Sequence, residues 1–278
     1  MARVDHRRMC PHCRAFISSG DRICPYCETE VGPRAADLRR ASGLLEGLTP
    51  HGRFLTVLIL TINAGLYAAT ILYGVRTGEG DMMSLSGRTL YHFGAKFTPA
   101  VLGGEWWRLV TAGFLHGGLF HFLMNSWVLL DLGAQVEEIY GAKRFIVIYF
   151  MATVAGFMAS VWWTPALSVG ASAGIFGLIG AMIALGVRSR TLVGAAIRGW
   201  YIRWAVYGFL LGLLPFFRID NAAHVGGLAG GFAAAYVLRL PGEWGPLGER
   251  VWSVAAALAV VLTAVAFLLM FLRFAQGA

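Results

Sequence analysis

The chain has 278 residues, 57% of them hydrophobic and 14% charged, with mean hydropathy +0.64 and a formal net charge of +8. A soluble domain carries about 25% charged residues, so this composition excludes a soluble enzyme. The charges are bunched between long apolar stretches, which is the membrane pattern.

The first 50 residues hold no apolar run, so no cleavable signal peptide is expected. Nine Arg before the first apolar run stand among six Asp or Glu, too mixed a set for a nucleic-acid surface. All four cysteines lie here, as Cys10-Pro-His-Cys13 and Cys24-Pro-Tyr-Cys27 with ten residues between the pairs. Two such knuckles predict a four-thiolate tetrahedral zinc site. Four protein thiolates leave no open position for chemistry, so the site is structural, and His12 is a surface residue. Disulfides need an oxidising compartment, whereas the charge pattern below puts this end in the cytosol. A zinc ribbon is therefore expected over residues 1–33, followed by a polar, Arg-rich linker or short surface helix over 34–53.

Seven apolar segments follow: Phe54–Leu72, Phe114–Leu130, Phe145–Trp163, Val169–Val187, Trp204–Phe217, Ala222–Leu238 and Val251–Leu272. Spans of 17 or more residues can cross a hydrocarbon core of ~30 Å. The fifth is short, and its start can reach back through Arg203 and Arg198 by snorkelling. Lys143 and Arg144 follow the second segment. Arg188, Arg190, Arg198 and Arg203 follow the fourth, and Arg239 and Arg250 the sixth. With alternating spans these residues share one face with the N-terminus, and the positive-inside rule makes that face cytosolic. The C-terminus and the long connection 73–113 are then outside.

On this topology Ser172, His224, His121 and Asn125 share one depth in the outer leaflet, from three spans. Polar groups inside spans are functional candidates. Gly170-Ala171-Ser172-Ala173-Gly174 has the G-x-S-x-G spacing of a nucleophilic serine, and a serine needs a base. His224 is the only histidine after position 121. The only acid between Ser172 and His224 is Asp220, placed to cap the sixth span, so a Ser–His dyad is expected rather than a triad. His121 and Asn125, four apart, share a helix face and can donate to an oxyanion; alone they would read as interhelical hydrogen bonding. His116, about 140° round the same helix, takes a structural role. Gly227 and Gly231 lie on the His224 face, where small residues let two spans approach closely.

These motifs resemble those of the rhomboid intramembrane serine proteases, from about Phe93 to Leu238. The residues that carry the likeness are Trp107-Arg108, then His116, His121 and Asn125 in HGGLFHFLMN, then Glu137 and Gly141, then Gly170-Ala171-Ser172, and finally AHVGGLAGG from 223 to 231. The resemblance implies an all-α six-helix core over 54–240 that cleaves transmembrane proteins near small, helix-breaking segments in the lipid bilayer. It implies Ser172 as nucleophile, His224 as base, and His121, Asn125 and the Ser172 backbone N–H as the oxyanion hole. The seventh helix, in 241–278, is then an addition behind the core. Two positions depart from the family pattern: Ala173 stands where glycine is commonest, and Phe176 where many members have tyrosine packing on the histidine. Competing readings are a non-catalytic binding or quality-control factor of the same shape, and a transporter. Inverted repeats would favour the transporter, and none is evident. The ribbon could meet a cytosolic partner.

Overall fold

The computed structural model describes residues 7–10, 12–18, 21, 23–31, 53–81, 83–214, 219–241, 243 and 245–276. The chain divides into two compact units, Met1–His51 and Gly52–Ala278. Apart from Arg53, the expected linker 34–53 lies outside the described residues.

In the first unit, β1 (Arg7–Met9) pairs antiparallel with β2 (Phe16–Ser18), with Met9 opposite Phe16. Cys10 leaves β1, and its N–H donates to Ala15 O. Cys10, Ile17, Cys24 and Val31 form a small core.

The second unit is helical. Helix α1 spans Phe54–Thr77. A long connection carries α2 (Gly87–His92), α3 (Thr98–Leu102) and α4 (Arg108–Thr111). Helix α5 (Leu119–Val128) passes through a wide π turn at Leu129–Gly133 into α6 (Ala134–Trp163). Then come α7 (Ser172–Arg188), α8 (Leu192–Leu211), α9 (Asn221–Leu238) and α10 (Gly245–Ala275). Each of the seven predicted apolar segments thus overlaps a helix; the end of the fifth, 215–217, lies outside the described residues. The second and third spans part at Gly141, whose φ of 75° and ψ of 161° break α6.

Among the described residues three stretches are long and apolar enough to cross a membrane on length and composition alone: Phe54–Thr77, Leu119–Trp163 and Gly245–Ala275; Ser172–Arg188 is a shorter apolar helix. Helix α7 is buried along nearly its whole length, packed against α6, α8 and α9. A helix enclosed by protein does not need to match the hydrocarbon thickness.

Two expected boundaries move. The fifth span starts twelve residues before Trp204, at Leu192, and ends at Leu211. The start reaches back past Arg203 and Arg198, because long arginines extend along a helix to reach water. The second span starts at Leu119 rather than Phe114. Residues Ala112–Phe114 form a single 3-10 turn, and the chain is extended at Leu115.

Helix α1 has no side-chain cap of its own at Arg53. Glu137 of α6 supplies one: its carboxylate accepts from Leu55 N at 3.0 Å, Thr56 N at 2.9 Å and Thr56 Oγ1 at 2.8 Å. A buried acid is thereby satisfied by the free N–H groups at the positive end of a helix.

The long connection is fastened by two buried cations. Arg108 donates to Tyr91 O at 2.8 Å and Ala95 O at 3.0 Å, pairs with Glu105, and lies 4.1 Å from the Tyr91 ring centre and 4.6 Å from that of Trp107. Lys96 Nζ donates to Thr164 O at 2.8 Å and Ala166 O at 3.1 Å, at the C-terminal end of α6, where a positive charge is favoured.

Candidate functional site

Ser172 opens α7, and His224 lies in the first turns of α9. The two helices meet through absent side chains. A Cβ on Gly227 would lie 2.2 Å from Ala173 O, and one on Gly231 would lie 2.1 Å from Gly177 O. Both are shorter than any real contact, so only glycine allows this approach. Gly227 and Gly231 therefore face the serine helix, the side expected from their spacing to His224. Gly226 and Gly230, on the other face, abut Ala155 and Ala159 of α6.

Gly170 has φ 140°, a conformation open to glycine. Its N–H donates to Ala112 O at 2.9 Å. A Cβ there would lie 2.8 Å from His121 Nε2 and 3.4 Å from Ser172 Oγ, so the bare backbone lets these two side chains line one small space.

His224 is 5% exposed, and its ring stacks on Phe176 with centres 4.0 Å apart and planes 13° from parallel. The phenyl ring at 176 thus orients the histidine without a hydroxyl. His224 Nδ1 is enclosed and has no hydrogen-bond partner. Asp220 does not reach it: the carboxylate accepts from Ala223 N at 3.0 Å, capping α9, and bonds Ser160. No hydrogen bond joins Ser172 to His224 among the described residues. Catalytic hydrogen bonds are commonly long without substrate.

Asn125 is buried on α5, with Nδ2 enclosed and unpartnered. His121, one turn before it, meets His116 edge to face at 5.2 Å. His116 is not on α5 at all, so the 140° helical offset from His121 does not apply. The extended chain folds it back into the protein instead, where it is 1% exposed with both ring nitrogens unpartnered. Sequence reasoning also missed Gly156 and Gly177. A Cβ on Gly156 would lie 2.8 Å from Ala173 Cβ, and one on Gly177 2.0 Å from Ala152 Cβ. The Gly174, Gly177, Gly180 spacing of α7 was the available signal.

The four cysteines are free thiols, with all Sγ atoms within 4.8 Å of one another. Cys10 and Cys27 Sγ are 3.7 Å apart, and Cys13 and Cys24 Sγ 3.6 Å. Zinc–sulfur bonds of about 2.3 Å give a tetrahedron of edge ~3.8 Å, so the cluster fits a metal ion. The knuckles are built alike. Arg14 N donates to Cys10 O at 3.0 Å and Glu28 N to Cys24 O at 2.9 Å, with Arg14 at φ 61° and Glu28 at φ 56°. The side chain and then the backbone of Thr29 hold the Cys27 thiol down, to about 5. The Ala15 backbone favours the Cys13 thiolate, but desolvation and the sulfurs of Cys27, Cys24 and Cys10 push that thiol up, to about 12. Clustered sulfurs cannot all ionise until a cation joins them.

A serine and a histidine on two helices that meet through glycine contacts, inside an apolar bundle, define a polytopic membrane protein. Residues 103–241 match the rhomboid domain, half of the chain, and the protein belongs to the rhomboid family. It is similar to rhomboid protease GluP of Bacillus subtilis (strain 168), 39% identical over 189 residues, which cover 66% of this chain and 36% of that protein. It is 29% identical to rhomboid-like protease 2 of Toxoplasma gondii over 223 residues, 75% of each chain. It is 36% identical to inactive RHOMBOID-like protein 8 of Arabidopsis thaliana over 155 residues, 54% of this chain and 43% of that one. The chain therefore spans about a third of the length of its Bacillus relative. It is an integral membrane protein.

Proposed function

We propose that this chain is an intramembrane serine endopeptidase that cleaves transmembrane segments of membrane proteins. The observation that carries the reading is the approach of α7 and α9 through Gly227 and Gly231, which brings Ser172 and His224 to one end of the bundle. His224 Nδ1 is enclosed, which leaves Nε2 to take the Ser172 proton. Oγ then attacks the substrate carbonyl. His121, Asn125 and the Ser172 backbone N–H, free at a helix start, donate to the oxyanion. His224 returns the proton to the leaving amine as the C–N bond breaks. Water, deprotonated by the same imidazole, hydrolyses the acyl ester and frees Ser172. The test is release of the outer fragment of a single-span substrate in proteoliposomes. Ser172→Ala and His224→Ala should each abolish it, and the double variant should be no worse than either, because the pair acts as a unit.

The inactive Arabidopsis relative and the absence of a Ser172–His224 hydrogen bond support a second reading, a non-catalytic binding or quality-control factor. Unchanged substrate binding with no Ser172-dependent cleavage would select it.

We also read residues 1–33 as a cytosolic ribbon holding structural zinc, 54–240 as the protease core and 241–278 as an extra span, with the C-terminus and the site opening outside. When bound, the metal supplies folding energy only. Purified protein should hold one zinc, lost on Cys10→Ser with Cys24→Ser, and released on acidification as protons compete for the thiolates. A metal-free, folded ribbon would refute this.

A further inference from the structure

The outer face of α5 and the start of α6 form a stripe that the catalytic reading does not use. Met124, Trp127, Asp131 and Gln135 lie on it at helical spacing, and all are exposed. Met124 and Trp127 suit a membrane span, and Gln135 has a partner on α8; Asp131 does not suit one. No hydrogen bond or ion pair involves its carboxyl among the described residues. It sits in the middle of the π turn Leu129–Gly133, and such turns are frequent at functional sites.

The position is deep. Six residues separate Asp131 from Glu137, which caps the start of α1, so Asp131 lies about 9 Å in from that end. Ten residues separate it from His121, or about 15 Å along the helix. Ionisable groups at such depth are costly and mark function by default.

Helix α8 is the neighbour on this side, through one contact. Helix α8 packs on α7 and makes no extended contact with α5. Across the inner end, Tyr201 Oη of α8 donates to Gln135 Oε1 at 3.1 Å, one turn beyond Asp131. Trp127 of α5 and Trp204 and Tyr207 of α8 are exposed. Along the chain Asp131 stands between the Tyr201–Gln135 bond and the end of α5 that carries His121 and Asn125.

We propose that Asp131 is a specificity residue that recognises a basic side chain in the membrane segment of the substrate, about ten residues inward from the cleaved bond. The inference rests on the protease reading and names a substrate class for that site. A segment lying along α5 with its scissile bond at Ser172 reaches Asp131 after about 15 Å, ten helical residues. A lysine there would otherwise lie unpaired in hydrocarbon, and the carboxyl would lie unpaired opposite it. Pairing relieves both costs.

The test uses the full chain in proteoliposomes and a leucine–alanine single-span segment with a small-residue outer stretch. A single lysine is moved along the segment. Wild type should cleave the segment with lysine about ten residues in roughly tenfold better than the same segment with lysine one half-turn away. Asp131→Asn should lose that preference yet cleave the lysine-free parent as wild type does, and Asp131→Glu should keep it. Retention of uncleaved segments by Ser172→Ala protein reads recognition without chemistry. The lysine segment should be held more tightly than the parent, and Asp131→Asn should erase the difference. Equal preference in wild type and Asp131→Asn, in both assays, overturns the inference. Retention that depends on Asp131 without Ser172-dependent cleavage would overturn the protease reading and leave the recognition standing.

Discussion

Helix α9 has two glycine faces, and they are held by different neighbours. Gly227 and Gly231 lie on α7, the helix of Ser172, whereas Gly226 and Gly230 lie on α6, which carries no proposed catalytic group. Both faces are too close for a side chain, the α7 face more so, and α9 is gripped from two sides. Only one grip sets the distance between serine and histidine. Close packing and catalytic alignment are therefore separable on a single helix, and substitutions can part them.

The largest effect is expected from Gly227→Leu. Its first side-chain atom would meet Ala173 O at 2.2 Å, so α9 must move away from Ser172. A shift of about 1 Å at a catalytic constellation costs ~100-fold in rate, and cleavage per folded molecule should fall by at least that much. Gly226→Leu should lower thermal stability in detergent comparably, since its Cβ would lie 2.6 Å from Ala159 Cβ. Overpacking of this kind costs about 1–3 kcal/mol. The molecules that remain folded should keep most of their cleavage rate, because α6 rather than α7 takes up the strain. Equal rates per folded molecule in the two variants would erase the distinction between the faces.

Gly170→Ala sharpens the comparison from the serine side. A Cβ there meets His121 Nε2 at 2.8 Å and demands a φ of 140°. Turnover should drop while stability changes by no more than ~1–2 kcal/mol. The smallest effect belongs to Asp220→Asn, which keeps the cap on Ala223 N within the range of good capping residues. Activity should stay within a few-fold of wild type. A loss as complete as that of His224→Ala would instead make Asp220 a third catalytic member.

The ribbon was readable because its ligands are local: two pairs of cysteines within 18 residues carry the whole geometry. The serine site was readable for a different reason. Ser172, His224, His121 and Asn125 are polar groups in apolar spans, and a bundle leaves such groups few places to go. What the sequence hid depended on where helices begin and what they touch. His116 was referred to a helix that starts three residues later, at Leu119. The partner of the Gly226 face is set by α6, and a 3.6-residue period says which residues share a face without naming the neighbour. Glu137 could be seen as a motif residue, but its role at Leu55 and Thr56 is a contact across 81 and 82 residues that no local pattern encodes. Asp131 falls one residue past the second apolar segment as read from the sequence; its place within the continuous helix, in the π turn, was not visible.

The central claim is that Ser172 is a nucleophile activated by His224, and labelling with a serine-directed fluorophosphonate tests it without any assumption about substrate. The purified, folded protein should take up the probe, and both Ser172→Ala and His224→Ala should abolish labelling while retaining their melting temperature. Labelling that persists in Ser172→Ala would assign the chemistry to another residue. A folded wild-type protein that takes up no probe and releases no fragment would contradict the dyad and leave a binding factor of rhomboid fold.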